Sequence, residues 1–407
     1  MIVKSKCRLC NSVNREIINL GNSPPANNFI SKVQTTVDSF PLIVDFCDQC
    51  SGFQLRHCLD KEQLYSHYSY LTPDTASLND HYENIVDYLT ANNYLSKDMD
   101  CLEIGSNNGR FLKFLEPYVK SVLGVDPAEN VASIAASLGI ETIVDFFSKD
   151  VIHKIKNKDR KIRLIVARHM FAHNPHPNDI FEGINSLLDE KGVILIENQY
   201  VFDTLQTGAF DQIYHEHMFY YSVKNMQNYL NGHSYDLNDI FFTDIHGGSI
   251  IFIGSRKNQY SISQNVRDHI EIENALLQED KIFHSFRNRV EEIKMMTLKE
   301  IDMDISEGKT VCAYGAPAKA FTMFSLLGLD HNKINFCVDT SVTKVGRYFP
   351  TFNIPVVSED QMMSMEYDTF LVNAWNYKTD ILSRSNKLFK QNTKLIFPLP
   401  DFEILYT

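Results

Sequence analysis

The chain has 407 residues, of which 44% are hydrophobic and 22% are charged, and its formal net charge is −12. Its length predicts two or three domains rather than one core. The acidic balance argues against nucleic acid as a partner, because phosphate backbones are held by clustered Lys and Arg. The sequence shows neither an apolar run of about 18 residues nor an apolar stretch after the N-terminal lysines, so we expect a cytoplasmic protein without a membrane partner.

Two Cys-x-x-Cys pairs occur near the start of the chain, Cys7 with Cys10 and Cys47 with Cys50. Zinc prefers four tetrahedral ligands, and the turn in Cys-x-x-Cys lets two sulfurs face one ion. Because no export signal is evident, a metal site is favoured over disulfides. The alternative is a set of four unligated buried thiols. We therefore predict a zinc-binding module over residues 1–75, in which these four thiolates hold a structural Zn²⁺.

Between residues 76 and 245, short buried strands alternate with helices, which predicts an α/β domain with a doubly wound parallel sheet. One strand runs into the turn EIGSNNG, where glycines let the backbone pass close to a ligand at the start of a helix. The spacing E-x-G-x-x-x-G is the methyltransferase form, and it differs from the NAD form G-x-G-x-x-G. An acidic residue that ends the next strand can accept both ribose hydroxyls. We predict an S-adenosylmethionine site with these candidate residues: Glu103, Gly105, Asn107, Gly109, Asp126, Asp145 and Phe146.

Residues 246–407 repeat this order of elements. The segment KTVCAYGAPAKAFTMFSLL again reads as strand, small-residue turn and helix, and INFCVDTS reads as a second strand that ends in Asp. We therefore predict a second doubly wound domain that is similar to the first. Lys319 in the turn is a candidate substrate-binding residue, because it can pair with a diphosphate as a point charge. A packed helix start with a solvated lysine carries equal weight.

The segment FDQIYHEHMFYYS places Tyr214, His215, Glu216 and His217 in succession. Four titratable residues in a row rarely suit a core, so a functional site is predicted here. Two histidines two residues apart would share one face of a strand, which makes a metal site the rival interpretation. We favour acid–base chemistry, because no third ligand is evident nearby in the sequence. His173 follows the predicted strand IRLIVA, whose carboxyl end would meet the cofactor.

Several motifs run in the same order over nearly the whole chain: CRLC, CDQC, EIGSNNG, YHEH, HGGS, YGAPAKA, VDTSVTKVGRYFPTFNIPV and LVNAWNY. With this combination the chain resembles the nucleotide-sugar C-3′-methyltransferases. The resemblance implies a zinc module followed by two Rossmann-like domains. It also implies C-3′-methylation of a dTDP-linked 4-keto-6-deoxysugar through a base-generated enolate. Where the family often has HGGSLR, this chain has HGGSII.

The resemblance also assigns roles to single residues. It implies that His217 is the general base, that Tyr214 and Glu216 line the same site, and that His173 is a further active-site histidine. Tyr68, in YSHYSYL, corresponds to a tyrosine that the first domain contributes. A histidine is a suitable base for a C–H next to a ketone, and tyrosine hydroxyls can donate to the developing enolate oxygen. His215 is a second candidate substrate-binding residue beside Lys319.

Two other functions stay open at this stage. One is an O-methyltransferase that acts on a sugar or a polyketide, and the other is a non-catalytic scaffold that binds zinc and a nucleotide. The intact YHEH run argues against the scaffold, which has no need for four adjacent titratable groups. The sugar, the nucleotide base, the stereochemistry at the methylated carbon and the oligomeric state stay open, although a monomer is plausible.

Overall fold

The N-terminal region is a small antiparallel sheet. The computed structural model describes residues 2–3, 6–33, 38–60, 72, 75–156 and 160–407. The strands of this region are β1 Ile2–Val3, β2 Arg15–Ser23, β3 Phe40–Cys47, β4 Gly52–Leu55 and β5 His57–Cys58. The strands β2, β3 and β4 pair in that order, and β1 pairs with β5. The rings of Phe46 and Phe53 pack against Phe283 of a later helix, so the module is docked on the rest of the chain.

The middle region alternates strands and helices. Its strands are β6 Asp100–Ile104, β7 Ser121–Asp126, β8 Thr142–Val144, β9 Ile162–Arg168, β10 Val193–Gln199, β11 Phe219–Tyr220, β12 Tyr235–Thr243 and β13 Ser249–Arg256. Its helices are α1 Ala76–Ala91, α2 Arg110–Leu115, α3 Glu129–Ser137, α4 Lys149–Lys156, α5 Pro177–Leu187, α6 Val201–Thr207 and α7 Val223–Gly232. This alternation follows the predicted pattern.

Within the described part of the chain, seven of these strands form one sheet in the order β12-β13-β10-β9-β6-β7-β8. The strands β6 to β10 are parallel, whereas β13 is antiparallel to both β10 and β12. Leu102 and Ile104 belong to the core that contains residues of α4 and α5, while Cys101 belongs to the core with α1 and α2. The chain order reverses between β6 and β9, and the carboxyl ends at such a point form a ligand crevice in doubly wound sheets.

The middle sheet crosses the boundary predicted between residues 245 and 246. The HGGS run does not separate two domains, because it forms the turn of the β12–β13 hairpin. Along β13, Ile250 and Phe252 pack in one core and Ile251 and Ile253 pack in the other. The strand therefore completes the middle sheet on both faces.

The C-terminal region forms a second, smaller sheet behind two long helices. The helices are α8 Gln264–Leu276, α9 Lys281–Ser306, α10 Ala320–Leu327, α11 Glu359–Met362 and α12 Lys378–Leu388. The strands are β14 Val311–Tyr314, β15 Cys337–Val338, β16 Val356–Val357, β17 Thr369–Val372, β18 Lys394–Phe397 and β19 Glu403–Tyr406. They pair in the order β16-β15-β14-β17-β18-β19, with β19 antiparallel to β18 and the others parallel.

The two sheets share one turn geometry after their first strand. In the middle domain, Asn107 N–H donates to the Asp126 carboxylate over 2.8 Å. In the C-terminal domain, Ala316 N–H donates to the Asp339 carboxylate over the same 2.8 Å. The predicted fold class, a zinc-type module followed by two Rossmann-like domains, is confirmed. Within the described residues, no helix combines the length and the apolar character that crossing a membrane requires.

Candidate functional site

Four cysteine sulfurs converge at one point of the N-terminal module. Cys47 ends β3, Cys50 lies in the turn to β4, and Cys7 and Cys10 flank the turn before β2. The Sγ atoms of Cys7 and Cys50 are 3.6 Å apart, those of Cys10 and Cys47 are 3.5 Å apart, and all four lie within 4.8 Å of one another. Sulfurs at about 2.3 Å from a tetrahedral Zn²⁺ lie roughly 3.8 Å apart. The predicted cluster therefore fits a Zn²⁺ ion closed by four thiolates.

The glycine turn joins β6 to α2 as the sequence predicts. Gly105, Asn107 and Gly109 all have positive φ angles, of 74°, 47° and 69°. A Cβ atom on Gly105 would lie 2.7 Å from the side chain of Met170, so only glycine fits this close approach. The Asp126 carboxylate accepts hydrogen bonds from the N–H groups of Asn107 and Ala128, which fix its orientation. Its remaining lone pairs can accept ribose hydroxyls, so the turn fits S-adenosylmethionine.

Asp145 and Phe146 follow β8, next to Asp126. Asp145 N–H donates to the Asp126 carbonyl over 3.2 Å, and its carboxylate accepts from Phe146 N–H over 2.8 Å. The Phe146 side chain is 39% exposed, so its ring is open to a ligand. The structure thus brings both residues next to Asp126, within the predicted S-adenosylmethionine site.

Glu103 lies beneath the turn and not at its surface. Its buried carboxylate accepts a 2.9 Å hydrogen bond from Arg168, whose guanidinium stacks on the rings of Tyr82 and Phe111. Burial raises the pKa of Glu103 to about 7, and the charge of Arg168 works in the opposite direction. Glu103 therefore supports the turn through an ion pair.

Replacing Asp126 with Ala should weaken binding of S-adenosylmethionine. The ribose hydroxyls would lose a charged acceptor, which is worth about 1.5–3 kcal/mol, or about a 10- to 150-fold rise in Kd. Titration calorimetry measures this change. The matched control is Asp339→Ala, which removes the equivalent carboxylate from the C-terminal turn. Equal affinities in wild type and Asp126→Ala would show that the ribose binds elsewhere.

The YHEH segment is a turn, which corrects the predicted strand. His217 N–H donates to the Tyr214 carbonyl over 3.0 Å, so the chain reverses between these residues. The Gln212 carbonyl is 3.1 Å from His217 Nδ1 and can only accept, so Nδ1 carries the proton. His217 Nε2 is then the acceptor of the Tyr214 hydroxyl over 2.7 Å. Burial lowers the pKa of His217 well below 6.5, which keeps the ring neutral.

His173 and Glu216 complete this group. The His173 ring lies edge-on to His217 with 5.0 Å between centroids, and burial lowers its pKa to about 4. Its Nδ1 is 4.0 Å from a Glu216 oxygen. The other oxygen of Glu216 accepts a 2.9 Å hydrogen bond from Asn27 of the N-terminal module. Burial raises the pKa of Glu216 to about 7.

His215 points away from His217, because the turn separates residues that would share one face of a strand. Its Nε2 lies 3.2 Å from the Phe40 carbonyl, and its ring packs edge-on against Phe40. Burial lowers the pKa of His215 to about 4. The structure therefore places His215 against the N-terminal sheet. Tyr68 lies outside the described residues.

A small pocket opens at the carboxyl ends of β9 and β10, and it is the first of two cavities in this region. Its walls are His169, Ala172, His173, Asn198, Gln199, His217 and Phe219. A second small cavity shares Gln199 with the first. Its walls are Gln199, Asp203, Thr204, Thr207, Ala209, Gln212, Gly247 and Gly248. The first cavity brings His173 and His217 together next to the glycine turn of residues 105–109, which is called the cofactor turn below.

Sequence reasoning assigned no role to His169 or to the polar residues at the end of β10. His169 Nε2 is 3.4 Å from the buried Glu197 carboxylate, which lies 2.8 Å from His81 Nε2 on α1. Burial opposes ionisation of Glu197, but His169 and His81 together hold its pKa well below 4.5. The sequence does carry a signal for these residues. In LIVARH and ILIENQ, polar residues directly follow two buried strands, at the edge of the sheet where a ligand would bind.

Lys319 lies between the C-terminal domain and the segment before Tyr214. Lys319 is only 7% exposed, so the alternative interpretation, in which this lysine is solvated, is wrong. Its Nζ donates to the Asn376 amide oxygen over 2.8 Å, lies 3.8 Å from Asp211, and sits over the Trp375 ring. Burial lowers its pKa to about 8, and Asp211 works against this change.

Three family models match consecutive parts of the chain. Residues 7–65 match a zinc binding domain, residues 78–239 a methyltransferase domain, and residues 244–400 a C-methyltransferase C-terminal domain. The C-methyltransferase NovU of Streptomyces niveus is 30% identical over 405 residues, which cover 98% of this chain and 96% of NovU.

Two solved methyltransferase structures are each similar to less than half of the chain. A S-adenosylmethionine-dependent methyltransferase from Clostridium acetobutylicum is 15% identical, with 48% of this chain and 95% of that chain covered and a TM-score of 0.36. The magnesium protoporphyrin IX methyltransferase of Synechocystis with bound SAM is 12% identical, with 47% and 88% covered and a TM-score of 0.35. Likenesses at these scores carry no weight in the assignment.

The match to NovU spans 98% of this chain and so covers the N-terminal module, the middle domain and the C-terminal domain. It confirms the family that the sequence motifs predict, and with it the predicted methyltransferase activity. The chain belongs to the C-methyltransferase family, as an S-adenosylmethionine-dependent enzyme with an N-terminal zinc-binding module.

Proposed function

We propose that the protein methylates carbon 3′ of a nucleotide-linked 4-keto-6-deoxysugar, with dTDP as the nucleotide, and so forms a branched deoxysugar. The observation that carries this proposal is the Tyr214–His217 pair, which faces His173 in the cavity beside the cofactor turn. A carbon atom attacks a methyl group only as a carbanion-like nucleophile. The site must therefore remove a C–H proton next to the ketone and stabilise the enolate that results.

His217 is suited to remove that proton. Its Nδ1–H donates to the Gln212 carbonyl, which fixes the tautomer and leaves the Nε2 lone pair as the base. In the structure the Tyr214 hydroxyl occupies this lone pair. On this proposal, the substrate C3′–H takes that place, and the Tyr214 hydroxyl turns to the enolate oxygen. The C3′–H bond breaks, the proton passes to Nε2, and the electron pair moves toward the C4′ oxygen.

His173 and Glu216 support this step. His173 is neutral at pH 7, because burial lowers its pKa to about 4, and it can donate one N–H to the enolate oxygen. Glu216 lies near its Nδ1 and is held by Asn27. S-adenosylmethionine supplies an electrophilic methyl group when it is bound. His173 and His217 are both partly buried, which limits the water near the enolate and keeps it for carbon–carbon bond formation.

The nucleotide part of the substrate needs contacts beyond this cavity. We infer that the second cavity, which shares Gln199 with the first, lies along its path. Lys319 remains the candidate for the diphosphate, since its pKa of about 8 leaves it mostly protonated at pH 7. The ring of His215 is hydrogen-bonded to the Phe40 carbonyl of the N-terminal sheet. Any effect of His215 on the substrate would therefore be indirect, through the position of that sheet.

A panel of paired substrates tests the proposed function. The protein is incubated with methyl-labelled S-adenosylmethionine and dTDP-4-keto-6-deoxysugars, and each is compared with its 4-hydroxy counterpart. The ketone makes the C3′ proton acidic, so label should pass to the keto sugars and not to the hydroxy sugars. Equal transfer to both members of a pair would favour O-methylation. Transfer to a polyketide alone would overturn the sugar assignment.

A further inference from the structure

Arg8 connects the zinc cluster to the residue that follows His217. It lies inside the Cys7-x-x-Cys10 turn and is 8% exposed. Its backbone N–H donates to the Gln54 amide oxygen over 2.9 Å. Its guanidinium donates to the Leu55 carbonyl over 2.8 Å and to the Met218 carbonyl over 3.1 Å.

The strand that leaves the YHEH turn is part of the zinc module's sheet. Phe219 and Tyr220 of β11 pair with Gln54 and Phe53 of β4. The Met218 carbonyl accepts from Leu55 N–H over 3.0 Å in addition to Arg8, and Met218 N–H donates to the Ala172 carbonyl over 2.9 Å. Two walls of the catalytic cavity, one with His173 and one with His217, therefore meet at Met218.

We propose that Arg8 is a positioning residue, through which the zinc-held turn sets His217 and Phe219 in the cavity wall. The role of His217 rests on the proposed function, whereas the placement of the turn does not. The guanidinium is suited to this task because its Nη2 donates to both carbonyls while its planar face stacks on an aromatic ring. Here it lies 4.8 Å from the centroid of the Phe219 ring.

The role should be specific to arginine. The lysine ammonium is a point charge without a planar face, so Arg8→Lys keeps the charge and loses the stacking on Phe219. Arg8→Met loses both the charge and the contacts. Arg15→Met is the matched control, since Arg15 lies in the same module, stacks on Phe46 and binds Asp48 and Asp280. Among its described contacts, none reaches the YHEH turn.

The experiment measures zinc per chain, kcat and KM per zinc-loaded protein, and amide hydrogen exchange of a peptide over residues 213–222. Misplacing a catalytic group by about 1 Å can cost about 100-fold in rate. We expect both Arg8 variants to keep zinc, to lower kcat by about 10- to 100-fold with little change in KM, and to raise exchange at residues 218–220. Arg15→Met should match wild type in all three measurements.

Two results would overturn the proposal. One is a normal kcat and normal exchange in both Arg8 variants. The other is an activity that falls only in proportion to the zinc lost, so that the kcat per zinc-loaded protein equals that of wild type. If wild type methylates none of the keto sugars, the proposed function fails and the exchange data alone decide the role of Arg8. Removing zinc from wild type with a chelator should raise exchange over 213–222, and unchanged exchange would count against the connection.

Discussion

Replacing His217 with Asn should lower turnover by about 100- to 10,000-fold, the usual cost of losing a general base. Asn cannot accept the C3′ proton as the Nε2 atom of His217 can. Binding of S-adenosylmethionine and of the sugar should persist, because Asp126 and the cofactor turn are untouched. Steady-state kinetics and calorimetry measure the two quantities separately. Since burial holds the pKa of His217 well below 6.5, wild-type turnover should not fall through protonation of this residue between pH 8 and pH 6.5.

Hydrogen exchange at the substrate gives an independent measure of the same step. Wild type in deuterated water should replace the C3′ proton of the keto sugar, and His217→Asn should not. His173→Asn and Tyr214→Phe should slow methyl transfer more mildly, as expected of groups that orient or stabilise the enolate. Near-normal turnover in His217→Asn together with an inactive Tyr214→Phe would assign the base to the tyrosine instead.

Replacing Cys47 with Ser should cause the largest loss of stability. Structural zinc contributes about 10–16 kcal/mol of binding free energy to small zinc domains, and that energy is also folding free energy. Cys47 is fully buried at the end of β3, where a serine cannot serve as the fourth thiolate. We expect zinc content, soluble yield and melting temperature to fall together in this variant.

Elemental analysis of wild type, purified without added metal, should find one zinc per chain. Cys312→Ser is the control, because Cys312 is an equally buried thiol in β14, outside the cluster. That variant should keep its zinc even if its core is weakened. A zinc content near zero in wild type would rule out the metal site.

Local spacing predicted the parts of the site that depend on neighbouring residues. The two Cys-x-x-Cys turns each aim both sulfurs at one point, and the glycine turn needs positive φ angles at Gly105 and Gly109. Asp126 reaches this turn because β6 and β7 are adjacent parallel strands. These features are encoded within a few residues or by the simple alternation of strands and helices.

The rest depends on contacts between distant parts of the chain. A period of two placed His215 and His217 on one face, but the hydrogen bond from His217 to Tyr214 makes a turn of the segment. The middle sheet takes in β13 because Ser249–Arg256 pairs with β10, which no local pattern reveals. The contact between Arg8 and Met218 spans 210 positions. Strand register likewise brings His169 and Gln199 into the cavity wall.

The position of the transferred methyl group decides whether the protein methylates C3′ of the sugar. The product of a dTDP-4-keto-6-deoxysugar and methyl-¹³C S-adenosylmethionine is examined by NMR. We expect a labelled methyl that correlates with the C4′ carbonyl carbon, on a C3′ carbon that no longer carries the abstracted proton. A labelled methoxy signal would contradict it, and so would a labelled methyl on any carbon other than C3′, including C5′ on the other side of the ketone.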